Sequence, residues 1–309
     1  MAQMPQGKDT VNPDTPRRPR LAVNPIAYWA RDGKTPEVRG RAFEELAGIG
    51  FTAVKADVPE GMTAGAYRDW IAGFGLAPSL SLFNSAFDET VDMKAELERA
   101  RCFAAVQAEL GLDRTMVSSV ELPARRAEPA VGTDFNVGRL AAAIENVGRS
   151  CEVLQSEGLR PLLHPHVGGV FETEHEITSL LDTLGPDTIG FGPDTGHLRW
   201  AGMDPAAMVA RYADRVGGIH IKDVFPDYLE PASRAGMAYF EVTGTGRMWA
   251  EPGLGALDLP GILAAMPANY DGDYMVEVDR PSMESLYDSH KISFDWAASG
   301  LNGNFLATG

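Results

Sequence analysis

From Arg20 onward, short apolar runs alternate with longer segments whose apolar residues recur at helical spacing. "RLAVNPIAYW", "FTAVKADVP", "APSLSLFN", "RTMVSSVEL", "RPLLHPHV", "TIGFGPDTG", "GGIHIKDV" and "GDYMVEVDRP" have the length and composition of buried strands. Between them stand amphipathic runs such as "GRAFEELAGIG", "KAELERARCFAAVQAELGL", "VGRLAAAIENVGRSCEVLQSEGL" and "DPAAMVARYADRV", several stopped by glycine. About eight strand–helix pairs, repeating at roughly 25–40 residues, point to a parallel sheet covered by helices. That count suits one closed α/β structure, a (β/α)8 TIM barrel. A doubly wound open sheet competes, but no GxGxxG follows the first strand, which weakens a dinucleotide-binding reading.

The layout expected is a leader over 1–18, a barrel over 19–300 and a short tail over 301–309. The leader is rich in Pro and polar residues and has no apolar core, so it reads as disordered and not as a secretory signal. One stretch breaks the repeat. Between "HIKDV" and "LPGILAAM", residues 225–258 form an insertion of about 35 residues, a length that is usually functional. After the seventh strand of a barrel it would lie over the active face.

Charge and cysteine content exclude several classes. A formal net charge of −16 argues against a phosphate-neutralising surface for nucleic acid. No apolar run is long enough to span a membrane. Two cysteines, Cys102 and Cys151, make no disulfide framework and suit a reducing, cytoplasmic setting, where both read as core residues on helices.

In a barrel the reactive groups stand at the C-terminal ends of strands. The fifth strand ends in His164 and His166, with Glu172 just beyond; the sixth ends in "PDTGH", giving Asp194 and His197. The seventh carries His220, with Lys222 two residues on and so on the same face; the eighth carries Glu277 and Asp279, followed by Arg280. Each has a plainer account when taken alone. Asp194 before Thr-Gly suits a turn, Asp223 suits a helix cap, and Glu172 suits a helix N-terminus. His175 and His290 fall in helical patterns and read as solvated. Trp29, Trp200, Trp249, Phe83 and Tyr228 suit either a polyol-stacking wall or ordinary packing. Four successive strand ends bearing such residues is a much less common coincidence than one. A mixed carboxylate–imidazole set suits a divalent ion with positions left for substrate oxygens.

"HPHVGGVFET", "FGPDTGHLRWAG", "HIKDV" and "MVEVDRP", in this order, resemble the xylose-isomerase-like barrels of sugar isomerases, epimerases and dehydratases. Within that superfamily the chain is most similar to the inosose dehydratase group, and it also resembles the larger subunit of bacterial C-glycoside deglycosidases. The resemblance implies a metal held by an acid, Asp, His and Glu at strands five to eight; Asp194, His220 and Glu277 match the last three. At the first position this chain has His164 where many relatives have Glu, so the ligand is either His164 or Glu172 folding back, with Glu172 preferred. The implied ion is Mn²⁺, or Co²⁺ or Zn²⁺. His166 or His164 then removes a proton beside a carbonyl, and Lys222 or the other histidine assists the leaving group. His197, Asp279 and Arg280 fall to substrate binding. The expected reaction is β-elimination of water from a keto-cyclitol or keto-sugar. The alternatives are sugar epimerisation or isomerisation, or C-glycoside deglycosylation beside a smaller partner subunit, in an oligomer.

Overall fold

The computed structural model describes residues 19–305; the expected leader lies outside these residues, as does the end of the expected tail. The final helix, Leu286–Phe305, runs into that tail. Among the described residues eleven strands are formed: β1 Leu21–Val23, β2 Ala53–Lys55, β3 Ala77–Ser79, β4 Leu82–Ser85, β5 Arg114–Ser119, β6 Arg160–Leu163, β7 Gly190–Phe191, β8 Ile219–Ile221, β9 Asp223–Val224, β10 Trp249–Ala250 and β11 Tyr274–Val276.

They make two parallel ladders, β3-β2-β1-β11-β8 and β4-β5-β6-β7. β3 and β4 are halves of one extended segment: β3 pairs with β2, and β4 pairs with β5. At the opposite seam, single parallel bridges join Phe191 to Val216 and Asp194 to His220. Counting β3–β4 as one position gives eight parallel positions in chain order around a ring, with β11 beside β1. This is the TIM barrel that the repeat predicts.

Alternation along each strand sends one set of side chains inward. Ala22, Ala53, Leu80, Met116, Leu162 and Met275 fill the interior as a small apolar cluster. The interior is so full that at Gly218 an added Cβ would stand 2.5 Å from Leu80 Cδ1. Outward-facing residues meet the helices in the main core, which takes in Val23, Phe43, Val117, Leu163, Phe191 and Val276. The helices begin at side-chain caps supplied by Thr35, Thr63, Asp92, Asn136, Thr173 and Asp204, each accepting a backbone N–H of the first turn.

The insertion is folded. It contains 3₁₀ turns at Pro226–Tyr228 and Pro231–Arg234, a short helix Tyr239–Val242, and β10, which pairs antiparallel with β9. Its apolar residues Leu229, Tyr239, Val242, Met248 and Trp249 pack with Trp200 and Val278 as a second core above the barrel mouth. Two further expectations are corrected. Cys102 is exposed on the helix Met93–Glu109, while Cys151 is buried. His290 is buried, its Nδ1 bound to the Leu286 carbonyl within the last helix, whereas His175 is exposed as expected.

Candidate active site

The inward alternation that fills the barrel continues past the strand ends and there becomes polar. Leu162 is followed on the same face by His164 and His166, Met275 by Glu277 and Asp279, Ala53 by Lys55, and Ala22 by Asn24. His164, Asp194, His220, Lys222 and Glu277 are all 3 % exposed or less.

Two overlapping groups of donor atoms have the separations of a cation site. His164, His166 and Asp194 form one; Asp194, His220 and Glu277 form the other, and within each the atoms lie within 4.8 Å of one another. Asp194 belongs to both because its oxygens are divided. Oδ1 accepts the backbone N–H of His197 as a helix cap, which leaves Oδ2 facing the cluster. Oδ2 stands 3.9 Å from His164 Nε2, 3.9 Å from His166 Nε2 and 3.8 Å from His220 Nδ1. His220 Nδ1 also contacts Glu277 Oε2.

Backbone partners set the tautomers. His164 Nδ1 lies 2.7 Å from the Gly192 carbonyl, which only accepts, so Nδ1 carries the proton and Nε2 turns a lone pair to the cluster. His197 Nδ1 accepts the Val167 N–H, which puts its proton on Nε2. The His197 ring stacks on His166, centroids 4.1 Å apart and planes 20° from parallel. His166 Nε2 is 3.0 Å from His164 Nε2. Burial, reinforced by neighbouring positive groups, holds His164, His166 and His197 well below the ordinary imidazole pKa, so all three are neutral.

The donor set passes a test for a resident cation. Asp194 Oδ2, both nitrogens of His220 and Glu277 Oε2 are buried and lack a hydrogen bond of proper geometry, although several lie within ion-pairing distance. Native interiors rarely leave so many polar atoms unmet in one place. Two imidazoles and two carboxylates converging in this way suit a borderline divalent ion.

Two of the expected residues have other partners in the structure. Glu172 stands apart: Oε1 accepts the Gly132 N–H and Oε2 accepts the Gly168 N–H, so it ties two loops together and joins neither donor group. Of the two residues left open for the first ligand position, the structure brings His164 to the cluster. Lys222 is locked among carboxylates, 3.1 Å from Asp194 Oδ2, 2.9 Å from Asp279 Oδ2 and 3.4 Å from Glu277 Oε1. Their charge outweighs burial and raises its pKa well above the usual value. It is a fixed cation, ill suited to give up a proton.

A cavity of about 290 Å³ lies over the cluster, lined by His164, His166, His197, His220, Glu277 and Asp279 among others. Burial, together with the charge and hydrogen bond of Glu277, raises the Asp279 carboxyl to about 7, against the pull of Lys222. Arg280 lines the mouth, its guanidinium 5.4 Å from the Phe240 ring centroid. Of the five aromatic residues singled out in the sequence, Trp249 lines this cavity, Trp200 and Phe83 are fully buried, Trp29 lines a neighbouring chamber, and Tyr228 packs against the second core. Lys55, Glu121 and Tyr239 also line the cavity and were missed in the sequence. Lys55 was legible as the residue two past the inward-facing Ala53; Tyr239, carried by the insertion, had no such signal.

A parallel barrel that gathers imidazoles and carboxylates at its C-terminal strand ends presents a donor set that suits a divalent cation. The chain belongs to the xylose isomerase-like TIM barrel family, whose profile matches residues 43–298. It is 25 % identical over 298 residues to an inosose dehydratase of Geobacillus kaustophilus (strain HTA426), covering 93 % of this chain and 94 % of that one. In fold it is similar to a zinc-binding IOLI protein, with a TM-score of 0.68 at 13 % identity over 93 % of this chain and 99 % of the other. It is likewise similar to an L-ribulose 3-epimerase, with a TM-score of 0.67 at 15 % identity over 94 % and 98 % of the two chains. Among the described residues no helix is long and apolar enough to cross a membrane.

Proposed function

We propose that the protein is a metal-dependent lyase that removes water from a keto-cyclitol or keto-sugar. The observation that carries this reading is the set of buried, unmet donor atoms on Asp194, His220 and Glu277 facing His164 at the floor of a small polar cavity. Similarity to inosose dehydratases over almost the whole chain supports the substrate class.

His164, Asp194, His220 and Glu277 would hold the ion, with Mn²⁺, Co²⁺ and Zn²⁺ all compatible with these donors. When bound, it supplies Lewis acidity that makes a C–H bond beside a carbonyl easier to ionise. His166 is neutral and lines the cavity, and its imidazole takes that proton. His197 holds its ring in place by stacking and presents Nε2–H, which has no protein partner, to a substrate oxygen. Asp279, with a carboxyl that is half protonated at about pH 7, gives its proton to the departing hydroxyl. The electron pair of the broken C–H bond becomes the new C=C bond, the C–O bond breaks, and water leaves. Lys222 keeps Asp194 and Asp279 in place through ion pairs. Trp249 and Tyr239 close the wall above.

A second reading, epimerisation, is favoured by the distribution of proton-handling groups. His166 and His197 come from the fifth and sixth barrel positions, whereas Lys55 lies across the ring at the second. Proton removal on one face with return on the other needs such a pair. Incubation of the metal-loaded protein with keto-cyclitols and keto-sugars separates the two. Dehydration yields a product lighter by one water; epimerisation yields one of unchanged mass. Turnover that persists after exhaustive chelation would sink both.

A further inference from the structure

A second chamber, also about 290 Å³, opens beside the first between the ends of the first, second and third barrel strands. Ile26, Lys55 and Leu82 line both chambers and form their common wall. Folding leaves two of its groups without partners. Asn24 is 2 % exposed, yet its Nδ2 has no hydrogen-bond partner. A buried unsatisfied donor is destabilising, which a native site tolerates when a ligand meets it. Lys55 has no ion-pair partner among the described residues, whereas Lys222 touches three carboxylates and Lys34 is paired with Asp57 at 2.9 Å. The remaining wall includes the Trp29 indole.

We propose that this chamber is a second substrate subsite, shaped for a planar aryl substituent that carries an acceptor oxygen and is attached to the ring reacting at the cluster. The proposal rests on the keto-polyol reading, because the ring must sit over the cluster for its substituent to reach past Lys55. An apolar cavity of about 150 Å³ is enough to hold a benzene ring, so this chamber has room for one with its oxygen. Trp29, Ile26 and Leu82 supply apolar surface for the ring, and Asn24 Nδ2 and Lys55 Nζ donate to the oxygen. Asp57 is shared between Lys34 and Arg39, and the negative charges of Glu277, Asp279 and Asp57 bear on Lys55. That suits a phenol, phenolate or aryl carbonyl better than a doubly charged phosphate. A bare cyclitol would leave both donors unmet.

The test is equilibrium binding, measured by titration calorimetry on the full metal-loaded chain. The probes are one keto-sugar bearing a methyl, phenyl, hydroxyphenyl or phosphate substituent. The hydroxyphenyl compound should bind about tenfold or more tightly than the methyl one, with phenyl between them. Asn24→Leu and, separately, Lys55→Met should reduce the hydroxyphenyl advantage to that of phenyl, and Trp29→Ala should remove the step from methyl to phenyl. Thermal unfolding of each variant identifies any that misfolds, and the other two still decide the matter. Equal affinity for methyl and hydroxyphenyl, tightest binding of the phosphate, or a hydroxyphenyl preference untouched in folded variants would overturn the subsite. Turnover of the methyl compound alongside equal affinities would defeat only the subsite. A clear hydroxyphenyl preference with no turnover of any probe would uphold the subsite and defeat the lyase.

Discussion

Asp194 does two jobs with one carboxylate, and the division depends on its place at the start of a helix. Its Oδ1 caps the helix Thr195–Trp200 and its Oδ2 is thereby aimed at His164 and His220. The ligand assignments have separable consequences. Glu277→Gln and His220→Ala should each weaken divalent-ion binding by more than about tenfold, read by metal analysis after dialysis against a graded chelator series. His166→Ala should retain the ion yet slow solvent exchange of the substrate C–H by about 10²–10⁴-fold, read by proton NMR in deuterium oxide. Loss of metal from His166→Ala would instead make His166 a ligand. Asp279 carries a pH signature. Its carboxyl is raised from the ordinary range to about 7 in the fold, so the neutral form is the favoured one. Stability from that form is present below the unfolded value near 4 and is lost as pH rises through about 7. In the metal-free protein, Asp279→Asn should therefore gain stability relative to wild type between pH 5 and pH 8, by about 1–2 kcal/mol. Urea titrations at the two pH values check this, and an unchanged difference would remove Asp279 from the proton-donor role.

At the scale of elements, the insertion is fastened to the barrel by Asp223. Its carboxylate accepts the N–H groups of Val224, Gly253, Gly255 and Leu257 at 2.9–3.1 Å, so it organises a loop and caps no helix. Gly255 is required at this junction, since an added Cβ would stand 2.2 Å from Asp223 Oδ1. Asp223→Ala leaves several amides unmet and should cost about 2–4 kcal/mol, with faster hydrogen exchange at Gly253, Gly255 and Leu257 than at the barrel strands. Buried ion pairing anchors the opposite loops: Arg125 binds Glu176 and the carbonyls of Gly169 and Val170, beside the Glu172 bonds to Gly132 and Gly168. Glu172 was read as a possible ligand because "HPHVGGVFET" places it near two histidines. Proximity in sequence says nothing about which way a loop turns, and here both carboxylate oxygens are taken by backbone.

Across the whole molecule, the site is a concentration of buried charge and neutral imidazole that the fold tolerates only at a cost. A cation that binds the native cluster and not the unfolded chain should stabilise by about 2.7 kcal/mol at a hundredfold excess over its dissociation constant. Thermal unfolding with and without Mn²⁺ or Co²⁺ reads this, and no shift would count against the centre. Acid should destabilise through histidine. His290, enclosed away from the cluster, is held below the ordinary imidazole value chiefly by burial. Its neutral form favours the fold above the unfolded pKa near 6.5, and that advantage is lost as pH falls. His290→Gln should thus flatten the decline of stability below pH 6.5 by up to about 1.4 kcal/mol per pH unit.

The eight-fold alternation of strand and helix, and with it the barrel, was legible in the chain because period-two and helical spacing depend only on local geometry. Most of the cluster was legible for the same reason: His164, His220, Lys222, Glu277 and Asp279 lie in or just past apolar strands, and a period of two assigns them a face. Which atoms meet could not be read there. The separation of Glu172 from the cluster, the trapping of Lys222 by three carboxylates, the burial of His290 and the shared chamber lined by Asn24 and Lys55 depend on loops and on neighbouring strands far apart in sequence. Those relations arise only when the ring of strands brings distant ends together, because the direction of a side chain beyond a strand is set by packing and hydrogen bonding across the mouth.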